Sequence, residues 1–421
     1  MAGLFGCWTV LRIGRTLVVL LSILQLMACG TLSRFPIDDD NSEAQRLARS
    51  GDLHAEVNAL ALPLIDKKTP GMVVGVLSAD GSKRFFSYGV ADKTTAAKPD
   101  ANTLFAIGSL SKGFLAEIAA QLVQENRLAW DETIVSLLPP DTALSEDAKK
   151  ITLLQLATHT AGLPRQPMTP QTLTYFMQYL FSGESFYKHF DRNYIVNYLK
   201  DFEAPATVTP QYSNIGYGLL SYIVEQRSGK KIDWLLHEKL TQPLGLRATG
   251  YAPEALPGYA VRARGYAGDQ PKFIRRGQPV PDWQFTDIMR GAAALYSSAD
   301  DLLTYASAHL HRTDDCVIDA AFQDSLKVRF DRQNEAAAVA WIVDNIRDRK
   351  ITYQIGLVAG YTSYIGLDVE NKFAVVVLQN SFNWTSIGHQ LLLRLGNAEV
   401  LAHQVNAPAV NPVSTPYNLE P

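Results

Sequence analysis

An α/β fold, an antiparallel sheet flanked by helices with an inserted all-α lobe, is what this sequence predicts. Short β-type runs lie near both ends of the chain, and the long stretch between them repeats apolar residues at intervals of three and four. An Asp-Gly turn signal divides the first β region. Strands at both ends and helices between them imply that the terminal segments share one sheet and that the helical middle is inserted into it.

The folded body is expected to begin with an amphipathic helix near His54 to Leu64. "GMVVGVLSADGSKRFFSYGVA", residues 71–91, then reads as two antiparallel strands turning at Ala79-Asp80-Gly81. From Ser109 onward "SKGFLAEIAAQLVQEN", "TLLQLATHT", "IGYGLLSYIVEQRSG" and "DWLLHEKLTQPLGL" carry helical periodicity, with Gly229 as a helix stop. "AVAWIVDN", "ITYQIGLV", "TSYIGLDVE" and "KFAVVVLQN" return to β runs, and "TSIGHQLLLRL" closes with a helix. The expected division is one folded body over 51–400, its helical lobe about 111–290, and a tail over 401–421.

Composition excludes several classes. The 421 residues are 47% hydrophobic and 19% charged with a formal net charge of -3, and no basic block offers a phosphate-tracking stripe, so no nucleic-acid partner is expected. The three cysteines are Cys7, Cys29 and Cys316; they form no disulfide framework, zinc-ligand spacing or CxxC pair. No metal and no cofactor are expected.

The first 28 residues read as an export signal. Arg12 and Arg15 precede the apolar run Thr16 to Ala28, which is too short to span a bilayer comfortably. It ends in "LMAC", Leu26 to Cys29, which resembles a bacterial lipoprotein signal. That resemblance implies lipidation of Cys29, a polar tether over 29–50, and a protein lipid-anchored to a bacterial membrane, facing the periplasm or the exterior; a simple N-terminal anchor and an ordinary signal peptide are the alternatives.

"FAIGSLSKGF", residues 105–114, holds the chemistry. Ser109 and Lys112 are three apart and share one face of a helix, whereas Ser111 points elsewhere. A hydroxyl is a weak nucleophile until an adjacent base takes its proton, and a lysine can do so if burial and nearby positive charge lower its pKa. Gly108 would put Ser109 at a helix N-terminus, where its own N–H is free to stabilise an oxyanion. Ser-x-x-Lys occurs also at Ser185/Lys188 and Ser228/Lys231, but neither of those opens a strongly apolar helix. Tyr212-Ser213-Asn214 forms a Tyr-x-Asn at the start of another helix; taken singly, the Tyr could be core and the Asn a cap.

"LFAIGSLSK", "LLQLATHTAGLP", "YSNIGYGLLSYIVEQRSG" and "YTSYIGLD", in that order and spacing, resemble the serine β-lactamase and penicillin-binding protein superfamily, in its class C-like branch. The resemblance covers roughly residues 60 to 395. It implies a β-lactamase/transpeptidase-like fold and an acyl-enzyme at Ser109, with Lys112 as base, Tyr212 as proton relay, and Asn214 bonding Lys112 and the substrate amide. His159 in "THTAGLP" is expected to pack a helix junction.

The family's third motif, Lys-Thr-Gly or His-x-Gly, falls here on Gln354-Ile355-Gly356, and no Lys or His lies between Lys350 and Lys372. Gly356 would let the backbone approach closely, Leu357 N–H would be the second oxyanion donor, and Gln354 would meet the substrate carboxylate as a neutral amide. The expected activity is a DD-carboxypeptidase or DD-endopeptidase on peptidoglycan peptides. An esterase on the same scaffold, a weak class C-like β-lactamase and a penicillin-binding protein that acylates without turnover are the alternatives.

Overall fold

The computed structural model describes residues 51–331, 335–346 and 349–406. The expected export signal over 1–28, the expected tether over 29–50 with Cys29, and residues after 406 lie outside the described residues.

Seven strands form one antiparallel sheet in the order β2-β1-β9-β8-β7-β6-β5. These are β1 Gly71–Leu77, β2 Lys83–Gly89, β5 Glu335–Ala337, β6 Ile342–Ile346, β7 Arg349–Val358, β8 Tyr361–Asp368 and β9 Phe373–Gln379, while β3 Phe105–Ala106 and β4 Tyr296–Ser297 make a separate two-residue ribbon. The ends of the chain meet where β1 pairs with β9, from Met72 opposite Gln379 to Leu77 opposite Ala374.

Both faces of the central sheet are covered, so β1, β8 and β9 are buried throughout and read as continuous apolar runs rather than alternating ones. Met72, Val74 and Val76 face helix α1 Leu53–Ala61 and the C-terminal helix Ile387–Asn406, through Val57, Leu391 and Leu392. Val73, Leu77, Val376 and Leu378 face the opposite core. Each such Val or Leu contributes about 1.5–3 kcal/mol on burial.

The other helices of eight residues or more among the described residues are α2 Ser111–Gln124, α3 Pro170–Ser182, α4 Arg192–Leu199, α5 Asn214–Ser228, α6 Ala299–Leu310 and α7 Cys316–Ser325; the C-terminal helix is α8. α2 is buried from Ser111 to Leu122. α5 starts on Ser213, whose Oγ accepts from Gly216 N, and stops at Gly229 in the left-handed region.

Two features depart from the sequence reading. α6 and α7 follow the expected end of the helical lobe, and α6 lies on the sheet rather than in that lobe. α8 runs through the expected domain end at 400 to Asn406.

Candidate active site

From β3 the chain passes through Ile107 into a single 3-10 turn, Gly108–Leu110, and then into α2. Gly108 takes φ 53°, a left-handed conformation that a side chain would strain, and a Cβ there would lie 3.0 Å from Leu357 N. Ser111 Oγ donates to Gly108 O at 2.6 Å and accepts from Leu295 N at 3.0 Å. Ser111 is therefore a staple for the turn, and the partly exposed Ser109 is the hydroxyl presented to the cleft.

Lys112 is 1% exposed. Its Nζ lies 3.2 Å from Ser109 Oγ and donates to Ala292 O at 2.7 Å. Burial, with Arg165 adding to it, pushes the Lys112 ammonium well below its usual range. A neutral amine keeps N–H to donate to Ala292 O, and its lone pair is free for the Ser109 proton. The other Ser-x-x-Lys pairs are spent elsewhere: Lys188 pairs with Glu184 and Lys231 with Glu225.

Tyr212 lies against this pair, its ring centroid 4.9 Å from Lys112 Nζ and 4.9 Å from Arg165 Cζ. Burial raises the phenol pKa despite Arg165 and the Ser109 hydroxyl, which pull it down, so Tyr212 is a neutral donor and acceptor at pH 7. His159 holds Tyr212 in place from both sides in sequence. Its carbonyl accepts from Gln211 N at 2.7 Å, its Nδ1 accepts from Ser213 N at 3.1 Å, and its ring centroid is 4.5 Å from that of Tyr212. Burial, with the Arg165 guanidinium adding to it, holds His159 well below the usual imidazole range, which leaves Nδ1 free to accept and the proton on Nε2.

Asn214 is in the cleft, but it does not bond Lys112 as expected. Its Nδ2 donates to Tyr187 OH, and its Oδ1 has no hydrogen-bond partner. Lys112 Nζ meets Ala292 O and Ser109 Oγ instead, and the Asn214 amide N–H is taken by Tyr187 OH. An unpaired buried carbonyl facing a cleft can accept an N–H from a ligand.

β7 forms the opposite wall. A Cβ on Gly356 would sit 2.0 Å from Ile107 O, so only glycine lets this strand lie against the nucleophile turn, where Ser363 Oγ donates to Ile107 O at 2.7 Å. β7 and β8 join through the two-residue turn Ala359-Gly360, with Val358 opposite Tyr361 and Leu357 opposite Thr362. In such a hairpin residues 358 and 361 exchange the ladder bonds, so Leu357 N–H points away from β8. β6 pairs with β7 only up to Tyr353, so that N–H is left facing the turn that carries Ser109. With the Ser109 N–H in the first turn it forms a pair of donors suited to an oxyanion.

Gln354 occupies the expected position but is not turned to a substrate. It is 4% exposed, neither amide atom has a partner, and a Cβ on Gly113 would lie 2.7 Å from its Nε2 and 3.0 Å from Tyr305 OH. The absence of a side chain at Gly113 gives the amide room to fold back under α2.

Ser109, Lys112, Tyr212, Asn214, Gln354 and Leu357 thus line one cleft of about 850 Å³, with Gly356 behind it. Two parts of that cleft were not anticipated. Arg165 follows directly on "THTAGLP", but a loop residue carries no periodic signal of where it points. An aromatic wall of Phe176, Tyr179, Phe186, Tyr187 and Trp283 closes one side, with Phe186 and Tyr187 centroids 4.2 Å apart and Tyr179 and Trp283 5.4 Å apart. Clustered aromatics at 175–187 could have suggested it.

A family model described as Beta-lactamase matches residues 43–396. Unguisins hydrolase ungD' of Aspergillus campestris (strain IBT 28561) is 28% identical over 330 residues, 74% of this chain and 58% of that protein. D-alanyl-D-alanine-carboxypeptidase/endopeptidase AmpH of Escherichia coli (strain K12) is 28% identical over 187 residues, 44% of this chain and 46% of that one. The chain spans about half the length of these curated relatives. The crystal structure of a class C beta lactamase from Rhodobacter sphaeroides shares the fold, with a TM-score of 0.67 at 22% identity over 83% of this chain and 99% of that chain. A match over most of the chain, on a fold that brings a serine and a buried lysine into contact, makes this protein a member of the beta-lactamase family of serine hydrolases.

Proposed function

We propose that the protein hydrolyses amide bonds of peptides through an acyl-enzyme on Ser109, as a DD-carboxypeptidase or DD-endopeptidase acting on peptidoglycan peptides. The observation that carries this reading is the buried Lys112 Nζ at 3.2 Å from the partly exposed Ser109 Oγ. The neutral lysine takes the Ser109 proton as Oγ bonds the substrate carbonyl carbon. The N–H groups of Ser109 and Leu357 receive the oxyanion. The proton on Lys112 passes through the Tyr212 hydroxyl to the leaving nitrogen, the C–N bond breaks, and the amine departs. Water then attacks the acyl carbon, gives its proton back along the same path, and Ser109 is released. Asn214 Oδ1 accepts the substrate amide N–H.

The named activity of AmpH supports the peptide class. The test is turnover of a D-Ala-D-Ala-terminated peptide against a series of aryl esters. Release of D-alanine with kcat/KM exceeding that of its L-Ala counterpart by tenfold or more supports a DD-peptidase; ester turnover alone removes it. That second outcome is the esterase reading, favoured by one observation: the Gln354 amide is folded away from the cleft while the aromatic wall offers an apolar surface.

Export and lipidation at Cys29 are part of the same proposal, resting on the "LMAC" segment. No helix among the described residues is long and apolar enough to cross a membrane. Cys29→Ser should abolish palmitate incorporation in cells; labelling that persists removes the lipoprotein reading.

A further inference from the structure

The walls of the cleft carry an uncompensated charge. No Asp or Glu is among the described residues that line it, and the basic side chains there are Lys112, His159 and Arg165. Lys112 and His159 are enclosed and spend their polar atoms on Ala292 O and Ser213 N. A guanidinium remains charged in any accessible pH range, and that of Arg165 is exposed and makes no ion pair with any described residue.

The base of this arginine is fixed. Its carbonyl accepts from Asn214 N at 3.1 Å and that of Pro164 accepts from Ser213 Oγ at 2.8 Å, so the 164–165 loop is bound to the start of α5. Its Cζ stands 4.9 Å from the Tyr212 ring centroid. A rigidly based, desolvation-free cation beside the reacting pair is complementary to a planar anion, which it can grip with two parallel N–H donors.

We propose that Arg165 is the residue that recognises a substrate carboxylate in this cleft, in place of a cation on β7. The inference deepens the acyl-transfer reading and rests on it for the identity of the site, although the contact itself is a binding event. The carboxylate can belong to a peptide C-terminus or to a bicyclic β-lactam, and the two sources share this chemistry. Gln354 cannot take the role in the observed conformation, because its amide atoms are buried against Gly113 and Tyr305.

Binding can be measured without turnover in the full chain carrying Ser109→Ala. By calorimetry, a cephalosporin is compared with its methyl ester, and a D-Ala-D-Ala peptide with its C-terminal amide. With Arg165 present each free acid is expected to bind about 5- to 30-fold tighter than its neutral partner, the range of one charge-assisted contact. Arg165→Gln should bring the ratio near one, and Arg165→Lys should restore part of it. A preference confined to one pair names the source of the carboxylate. Acid and neutral forms binding equally with Arg165 present, or a preference that survives Arg165→Gln, overturns the proposal. Labelling of the unmutated serine by a neutral fluorophosphonate reports separately on the acyl-transfer reading, since that probe carries no carboxylate.

Discussion

Lys112 Nζ lies 3.2 Å from Ser109 Oγ, and the lysine is wholly enclosed by protein. A charged ammonium in that position has Ala292 O as its main compensation, which is far less than water supplies. The neutral amine is therefore favoured, and the site holds a base ready for the hydroxyl beside it.

Replacing Lys112 with Met should separate function from stability. The substitution removes the base, and kcat/KM is expected to fall about 100-fold or more. It also removes a group that must lose its proton on folding, so thermal stability at pH 7 should rise by about 1 kcal/mol or more. The sign follows from linkage: the unfolded lysine binds a proton up to about pH 10.4, and the folded one releases it earlier. Stability of the unmutated protein should thus rise with pH between those two values, by up to about 1.4 kcal/mol per pH unit from this group, and the Met variant should lack that slope. Denaturant titrations across pH 7–10 check it; identical slopes would place the charge elsewhere.

The two serines of the turn should fail differently. Ser109→Ala is expected to abolish covalent labelling and leave folding intact. Ser111→Ala removes the bonds to Gly108 O and Leu295 N and should cost about 1–3 kcal/mol while labelling persists. Melting curves alongside fluorophosphonate labelling separate the two roles.

Burial sets the acid limb of the pH profile through Lys112, and Arg165 should shift it. Its charge lowers the Lys112 pKa, so Arg165→Gln should raise it and move the rising limb of kcat/KM to higher pH. Tyr212, raised above its ordinary value by burial, should contribute no limb below about pH 10. A profile that stays in place in Arg165→Gln, measured with a neutral ester, contradicts this assignment.

Gln354→Leu tests whether the third-motif position still meets substrate. Both amide atoms are buried and unpaired, so an apolar replacement should leave kcat/KM within about threefold and stability equal or higher. A selective loss of ten times or more on carboxylate substrates would return Gln354 to the binding site.

What was legible in the sequence is what local spacing determines. Ser109 and Lys112 lie three apart in one turn-helix segment, so their contact follows from helical geometry, and β runs at both ends imply one shared sheet, which the structure joins through β1 and β9. The register that puts Gln354 and Gly356 beside the serine turn came from the family resemblance alone; the close approach of Gly356 to Ile107 O is visible only in the structure. The direction of the Gln354 amide was not legible either, since it depends on the space left by Gly113 on another element. Arg165 and Tyr187 reach the cleft from loops or short turns, where no periodicity fixes a face. The contact expected between Asn214 and Lys112 is absent: the lysine amine donates to Ala292 O, 180 positions away in sequence, and the Asn214 amide N–H goes to Tyr187 OH, and neither partner is fixed by local spacing.

Every role assigned in the cleft depends on Ser109 Oγ becoming acylated with Lys112 as its base. The direct measurement is intact-protein mass spectrometry with peptide mapping after brief exposure to a fluorophosphonate and to a β-lactam, on the unmutated chain and on Lys112→Met. One adduct per chain, mapped to Ser109 and formed at least about 100-fold more slowly in the Met variant, is the predicted result. An adduct on another residue, or equal rates in the two proteins, would contradict the account.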